Sequence, residues 1–437
     1  PPTDYSGEVS LSIVAVVQEP NGSTATSASS TFSFTLDPVS EMPDVSLTDV
    51  SVVEYTNDIL VDNVNTYKTD LSNITVSLSD TSNLSEVTIV LSAADSVTGN
   101  DPGYTLDASG VTSFDSSSYN FEVSTTSPLT IKVSGTVADG SSIGSDLVAD
   151  MTTLLSEVKL VPPEDYSGTS TITTSVTSRE DGATESQPTT DSFDITVSAV
   201  AETPTVTGSA PDTNLEDTDI QLDLNVTIND NDASETVSQV RISGLTSIGE
   251  QNLTGILVDG DGNLVGSNDG SGTTILTSAE YSAAQDGTAP IFFRPPADYS
   301  GDVSLDIVAV VQELNGSTAT SDLSTFSFRL NPVSETPDVS SNDVSVVEYT
   351  ADTQVDDQVN ETYKTDLSNI TVSLSDTSNL SEVTIVLSAA DSVTTSDPGF
   401  TLDATGVTSF GSSYDFTVST TSPLTIKVKG IIPDGAE

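Results

Sequence analysis

The sequence predicts an all-β protein, a tandem array of β-sandwich domains that alternate between a long and a short type. Three observations predict it. A seven-residue marker occurs as Pro1-Pro-Thr-Asp-Tyr-Ser-Gly7, Pro162-Pro-Glu-Asp-Tyr-Ser-Gly168 and Pro295-Pro-Ala-Asp-Tyr-Ser-Gly301. Beyond each marker, apolar and polar residues alternate, which is the period of a half-buried strand. Each such run closes in a short junction bearing proline. A motif that returns with its downstream context marks a repeat.

The copies set the boundaries. Residues 1–40 match 295–334, with Val9–Val17 answering Val303–Val311, and Tyr67–Ile74 returns as Tyr363–Ile370. We therefore expect the C-terminal part of a short-type sandwich at 1–40 and a long-type sandwich at 41–201. A short-type sandwich follows at 202–334, then a truncated second long type at 335–437. The chain starts within a repeat and is expected to be an internal piece of something longer.

Each element has its own signal. Val303, Leu305, Ile307 and Ala309 alternate with Ser and Asp; Phe326, Phe328 and Leu330 do so in the next segment, and Phe193, Ile195 and Val197 close the first long repeat. The marker reads as a corner before this last strand pair. Val258-Asp-Gly-Asp-Gly-Asn-Leu264 reads as a hairpin turn. Two stretches break the pattern: Ala-rich Ser278–Gln285, and Ser145–Leu155 with Ser145 as N-cap, are expected helices. The long repeat carries extra, strand-like or polar sequence around 57–68 and 112–135. Seven or so short strands per domain, separated by turn signals, indicate a sandwich of the immunoglobulin or cadherin kind.

Composition narrows the function. Sixty-six acidic residues against 10 basic ones give a formal net charge of -56. Such a surface repels nucleic acid and anionic membranes, and no apolar run is long enough for a spanning helix. There is no Cys, His or Trp. Disulfides and thiolate metal sites are excluded, and catalysis lacks its usual bases and nucleophiles. No enzyme activity is expected.

The acids cluster where calcium would want oxygens. In the short repeat, Asp230, Asp232 and Glu235 share one loop, with Glu216 and Asp217 ahead of it. Asp298 in the marker (Asp165 in the copy before) and a junction glutamate, Glu41, Glu202 or Glu335, would close the shell. The long repeat has a thinner version in Glu54, Asp80 and Glu86, repeated as Glu348, Asp376 and Glu382. The competing reading is that Asp-Asn-Asp is only a solvated turn. Asp259-Gly-Asp-Gly-Asn263 lacks the distant glutamate of an EF-hand and reads as a turn.

The marker, the Asn331-Pro-Val-Ser-Glu-Thr-Pro337 junction and Leu215-Glu-Asp-Thr218 followed by Asp230-Asn-Asp232 together resemble the extender repeats of giant RTX-type bacterial adhesins. The resemblance implies a stalk on the bacterial cell surface, stiffened by Ca2+ at domain junctions. It makes Glu216, Asp217, Asp230, Asp232, Glu235 and Asp298 the leading ligand candidates. The implied partners are neighbouring repeats of the same chain. The alternative is an adhesive or polymer-forming module that binds sugar or peptide through the long-repeat insertions, or joins other copies in a filament.

Overall fold

The computed structural model describes residues 1–56, 65–111, 119–125, 127–135, 144–230, 232–249, 252–348, 350, 364–375, 380–390, 399–405, 407, 414–419 and 423–430. Two compact units divide the chain. Unit 1 comprises Pro1–Pro204, Ile228–Val237 and Val310–Thr320, and unit 2 comprises Thr205–Thr227, Ser238–Ala309 and Ser321–Glu437.

Unit 1 is centred on a six-stranded sheet. Its order is Tyr119–Ser124, Leu129–Gly135, Leu84–Asp95, Gly168–Glu180, Thr189–Ser198 and Val50–Val53, the last pairing parallel. The expected 112–135 insertion contains the strands Tyr119–Ser124, at the sheet's edge, and Leu129–Gly135, inside it, while 57–64 and 112–118 lie outside the described residues. A second layer holds the sheet Thr105–Asp107, Lys159–Val161 and Thr69–Asp70, and the pair Asp44–Leu47 with Ile74–Ser77. Inward β-branched and leucine side chains, among them Ile89, Leu91, Ile131, Ile172, Val176 and Ile195, fill the space between the layers. Each such burial is worth about 1.5–3 kcal/mol.

One helix, Gly144–Glu157, completes this core. Leu147, Met151, Leu154 and Leu155 recur at helical spacing and are all essentially fully buried. The expected helix is present, but Ser145 lies within its first turn rather than capping it, because the helix already begins at Gly144. Ahead of the long repeat, Gly7–Ile13 pairs with Ser30–Leu36. In this pair Leu11, Ile13 and Phe32 are about half exposed.

Unit 2 contains most of the short repeat. Its main sheet runs Asn214–Leu215, Ser324–Asn331, Gly301–Gln312, Thr236–Ser243, Thr274–Thr277 and Ser267–Asn268. Val303, Leu305, Ile307 and Ala309 are buried, as the alternation predicts. The facing sheet is Ile220–Gln221, Phe292–Arg294 and Ile256–Val258, and Phe293 meets Phe328 edge-on at 5.6 Å. The helix Ser278–Gln285 is fixed by a capping box between Thr277 and Glu280. Beyond it lie Asp338–Ser341 paired with Ile370–Ser373, and the sheet Glu382–Leu387, Leu424–Gly430 and Tyr414–Val418. These are immunoglobulin-like β-sandwich repeats. No helix among the described residues is long and apolar enough to cross a membrane.

The marker is a backbone device. Asp4, Asp165 and Asp298 take φ of 61°, 54° and 59°, and Gly7, Gly168 and Gly301 take 119°, 127° and 147°. Aspartate tolerates the left-handed region better than most residues, and glycine adopts it freely. The tyrosine between them locks the corner. Tyr299 donates its hydroxyl to the Asp302 carbonyl at 3.0 Å, and Tyr5 to that of Glu8 at 3.2 Å. Tyr166 instead donates to Asp95 at 2.6 Å. The glycine then opens the strand, and a Cβ on Gly301 would stand 2.8 Å from the Tyr299 hydroxyl oxygen.

We expect Gly301→Ala to lower the stability of the short repeat by about 2 kcal/mol, and Tyr299→Phe by about 1 kcal/mol. Urea unfolding measures both. Unchanged midpoints would show that the marker does not constrain the fold.

Candidate metal centre

Strand ends place the first acidic group, within unit 1. Glu54 leaves the strand Val50–Val53, which runs parallel to Thr189–Ser198. Its amide donates to the Ser198 carbonyl at 2.9 Å, and its Oε2 accepts the Val200 amide at 2.8 Å. The side chain is pinned and buried at 2% exposure. Asp230 and Asp232 sit on the loop after Asp223–Thr227 and bond that loop's own amides. Asp232 N donates to Asp230 Oδ1 at 2.9 Å, Glu235 N to Asp230 Oδ2 at 3.0 Å and Ser234 N to Asp232 Oδ1 at 2.8 Å. The marker joins in, since Ser167 donates its amide and hydroxyl to Asp232 Oδ2 at 2.9 and 2.8 Å. One oxygen each from Glu54, Asp230 and Asp232 lie within 4.8 Å of one another.

Further carboxylates crowd this group. Glu202, Glu235 and Glu313 are all buried, and Glu202 N donates to Glu235 Oε1 at 3.0 Å. Burial pushes the Glu54 carboxyl up to about 8; the Val200 amide offsets part of this, and Asp232, Glu313 and Asp230 add repulsion. Burial likewise raises Glu235 to about 7, with Glu313, Asp230 and Glu202 adding to it, and raises Glu313. Desolvation alone would raise Asp232, but donors from Ser234 and Ser167 outweigh it and hold the group below the usual range. Such a set can be neutralised by protons or by a cation. Its donors are all carboxylate oxygens, the set that hard cations such as Ca2+ prefer.

A second group forms within unit 2 from Asp217, Asp298 and Glu335, again within 4.8 Å. Asp298 N donates to Asp217 Oδ1 at 3.0 Å, and Ser375 donates to Glu335. Glu216 beside them accepts the Val333 amide at 2.5 Å. A third acidic set, in unit 1, gathers Asp4, Glu41, Asp80 and Glu180. Asp80 N and Ser79 donate to Glu41, and Ser82 donates to the Asp4 carbonyl at 3.1 Å. Burial, with repulsion from Asp80, Glu41 and Asp4, pushes Glu180 up to about 7.

The structure regroups the residues expected from sequence. Glu216, Asp217 and Asp298 do not join Asp230, Asp232 and Glu235 in one shell. The chain between Asp217 and Asp230 is largely strand, which advances about 3.3 Å per residue, so its two ends serve different groups. Glu54, Asp80 and Glu86 separate too. Glu54 joins the Asp230 loop, Asp80 joins Glu41, and Glu86 is neutralised by Lys132 at 2.7 Å and Arg179 at 2.8 Å. Sheet register brings those cations in, with Ser134 and Arg179 both paired to Glu86. Glu382 pairs likewise with Lys427 at 2.6 Å. Asp165 is buried, its amide bonded to the Tyr55 carbonyl at 3.0 Å. Glu348 is exposed, and Asp376 lies outside the described residues. The Asp259 carboxylate is engaged by Asp261 and Asn263 of its own turn, at 3.0 and 2.8 Å.

Glu313 and Glu180 were not anticipated, although a signal for them exists. Glu19, Glu180 and Glu313 stand equally far beyond Pro1, Pro162 and Pro295, each just after a Gln or Arg at the strand's end. The class defined by fold and site is therefore a tandem immunoglobulin-like array with buried carboxylate clusters.

No family model matches the chain, and no curated protein matches it in sequence. Among solved structures it is similar to a tetra-tandem repeat from the extending region of a large adhesion protein. The identity is 16% and the TM-score 0.20, over 75% of this chain and 57% of that one, so the chain spans little more than half of that structure. It is also similar to fibronectin(III)-like modules of Clostridium thermocellum CbhA, at 11% identity and TM-score 0.16, over 67% and 95% of the two chains. The FN1–FN3 domains of chicken CNTN1 match at 10% and 0.15, over 72% and 76%. At such TM-scores the fold assignment rests on the chain's own sheets.

The raised carboxyls fix a pH dependence for the metal-free chain. Glu54, Glu235 and Glu180 bind a proton more tightly folded than unfolded. Their contribution is full below the ordinary value of 4.5 and is lost as pH rises through about 7 to 8. The melting temperature should fall by on the order of 5 °C between pH 5.5 and 8.5. A flat or rising profile without metal would contradict the buried, repelling acids.

Proposed function

We propose that this chain is a length of stalk from a large extracellular bacterial surface adhesin of the RTX type, whose tandem sandwiches are made rigid by calcium at their junctions. The observation that carries the reading is the group Glu54, Asp230 and Asp232. It joins a glutamate of the long repeat to the acidic loop of the short one, around the short junction Ser198–Pro204. Proline fixes φ there, and no Gly/Ser linker intervenes. Without a cation, carboxylates from two repeats face each other and repel. A calcium ion between them turns the repulsion into a bridge and holds the joint in one geometry. The domain division is that of the repeats: 1–40, 41–201, 202–334 and 335–437. The chain's role in this reading is mechanical rather than enzymatic, and its partners are the neighbouring repeats.

Adding millimolar calcium to chelator-stripped protein should raise the melting temperature and lengthen the particle seen by small-angle scattering. Asp230→Asn with Asp232→Asn should weaken calcium binding at this junction at least about tenfold, as read by calorimetry. A chain whose melting and scattering ignore calcium refutes the mechanism.

A further inference from the structure

Among the described residues the strand Asp223–Thr227 pairs with Thr205–Ser209 alone, so one of its edges faces away from the pair. In an antiparallel pair, residues that point their amide and carbonyl at the partner alternate with residues that point both away. Leu224 and Val226, and Leu222 just ahead of them, are of the second kind. A ladder covers Leu222. Ile220 and Gln221 pair with Phe293 and Phe292, and Leu222 N donates to the Ile291 carbonyl at 2.9 Å. There the ladder stops. Pro290, the next residue back, has no N–H to offer, and the chain ahead of it forms the helix Ser278–Gln285 instead of a strand.

The helix takes over the edge with two side chains one turn apart. The Tyr281 hydroxyl accepts the Val226 amide at 2.9 Å, and Gln285 Nε2 donates to the Leu224 carbonyl. One donor and one acceptor of the strand are thus met from the side on which a neighbouring strand would meet them. The helix is itself anchored at both ends. Beyond the capping box, Glu280 accepts the Gly266 amide at 2.9 Å, and Ala289 N donates to the Ala283 carbonyl at 2.9 Å. Tyr281 is buried and Gln285 exposed. A cavity of about 500 Å³, lined in part by Leu222, Leu224, Gln285 and Pro290, opens where the ladder ends. The edge therefore has room for another strand once the two side chains are removed.

We infer that Tyr281 and Gln285 are an edge guard: they occupy the outer edge of Asp223–Thr227 and keep it from pairing with the same edge of a second copy of this chain. An open edge is a template for strand addition, and two identical edges are self-complementary, pairing antiparallel about a two-fold axis. Tandem repeats raise the hazard, because every chain brings several similar edges at high local concentration. The long repeat answers it in the same place, with the helix Gly144–Glu157 lying against Ile74–Ser77, the strand that corresponds to Asp223–Thr227. The inference rests on residues of unit 2 and requires no cation.

Size-exclusion chromatography with light scattering on the full chain tests it, in chelator to remove cation bridges and in enough salt to screen the net charge of -56. Tyr281→Phe with Gln285→Ala should self-associate at least about tenfold more tightly than the parent. Hydrogen exchange over Asp223–Thr227 should be faster than the parent's in the dilute double variant, and slow again once it associates. If circular dichroism shows that the double variant does not fold, Tyr281→Phe alone, which keeps the ring and removes only the hydroxyl, carries the same two expectations. A folded variant that stays in the parent's state, or that associates without slowing exchange in this strand, overturns the inference, and the two side chains then only anchor the helix.

Discussion

Electrostatic repulsion between buried carboxylates is the constraint around which the junctions are organised. A sandwich core holds itself together by apolar burial and needs nothing from its ends. The ends are different. Glu54, Glu202, Glu235 and Glu313 are all buried, in a chain with only 10 basic residues to offset 66 acidic ones. Backbone amides take some of the load, as Val200 does for Glu54 and Glu202 does for Glu235. Amides carry only partial charge, so the cluster is stable when protonated or when metal-bound, and is otherwise under strain. Where cations are available within the chain, the same chemistry resolves differently: Glu86 is quenched by Lys132 and Arg179.

The strands were legible because their cause is local. Alternation at Val303–Ala309 and Phe193–Val197 places apolar groups on one face whatever the neighbouring strand is. The helix Gly144–Glu157 was legible for the same reason, its leucines and Met151 recurring at helical spacing. The marker's chemistry was only half visible. Its prolines suggested a corner, but the left-handed aspartate and the tyrosine lock emerge only from the backbone.

The ligand sets were much less legible. Adjacency in sequence suggested that Glu216, Asp217 and Asp230 act together, whereas a strand separates such neighbours and delivers them to different groups. Glu86 looked like a ligand because its cations arrive through sheet register, from strands that begin far along the chain. Glu313 escaped notice because a single glutamate after a strand carries no local signature. Its constant offset from the marker was the only available sign.

The bonds from Ser167 to Asp232 carry a further consequence. The marker of one repeat is what the acidic loop of the following repeat leans on. At the preceding marker the bond runs the other way, the Asn83 side-chain amide donating to the Ser6 hydroxyl at 2.5 Å. The marker is the same in both repeat types, while the loops are not. In both of these described junctions a marker serine meets the loop that follows it. The second of these loops supplies Asp230, Asp232 and Glu235, while Glu54, Glu202 and Glu313 come from outside it. A change confined to that loop would therefore alter only part of the charge buried at the joint.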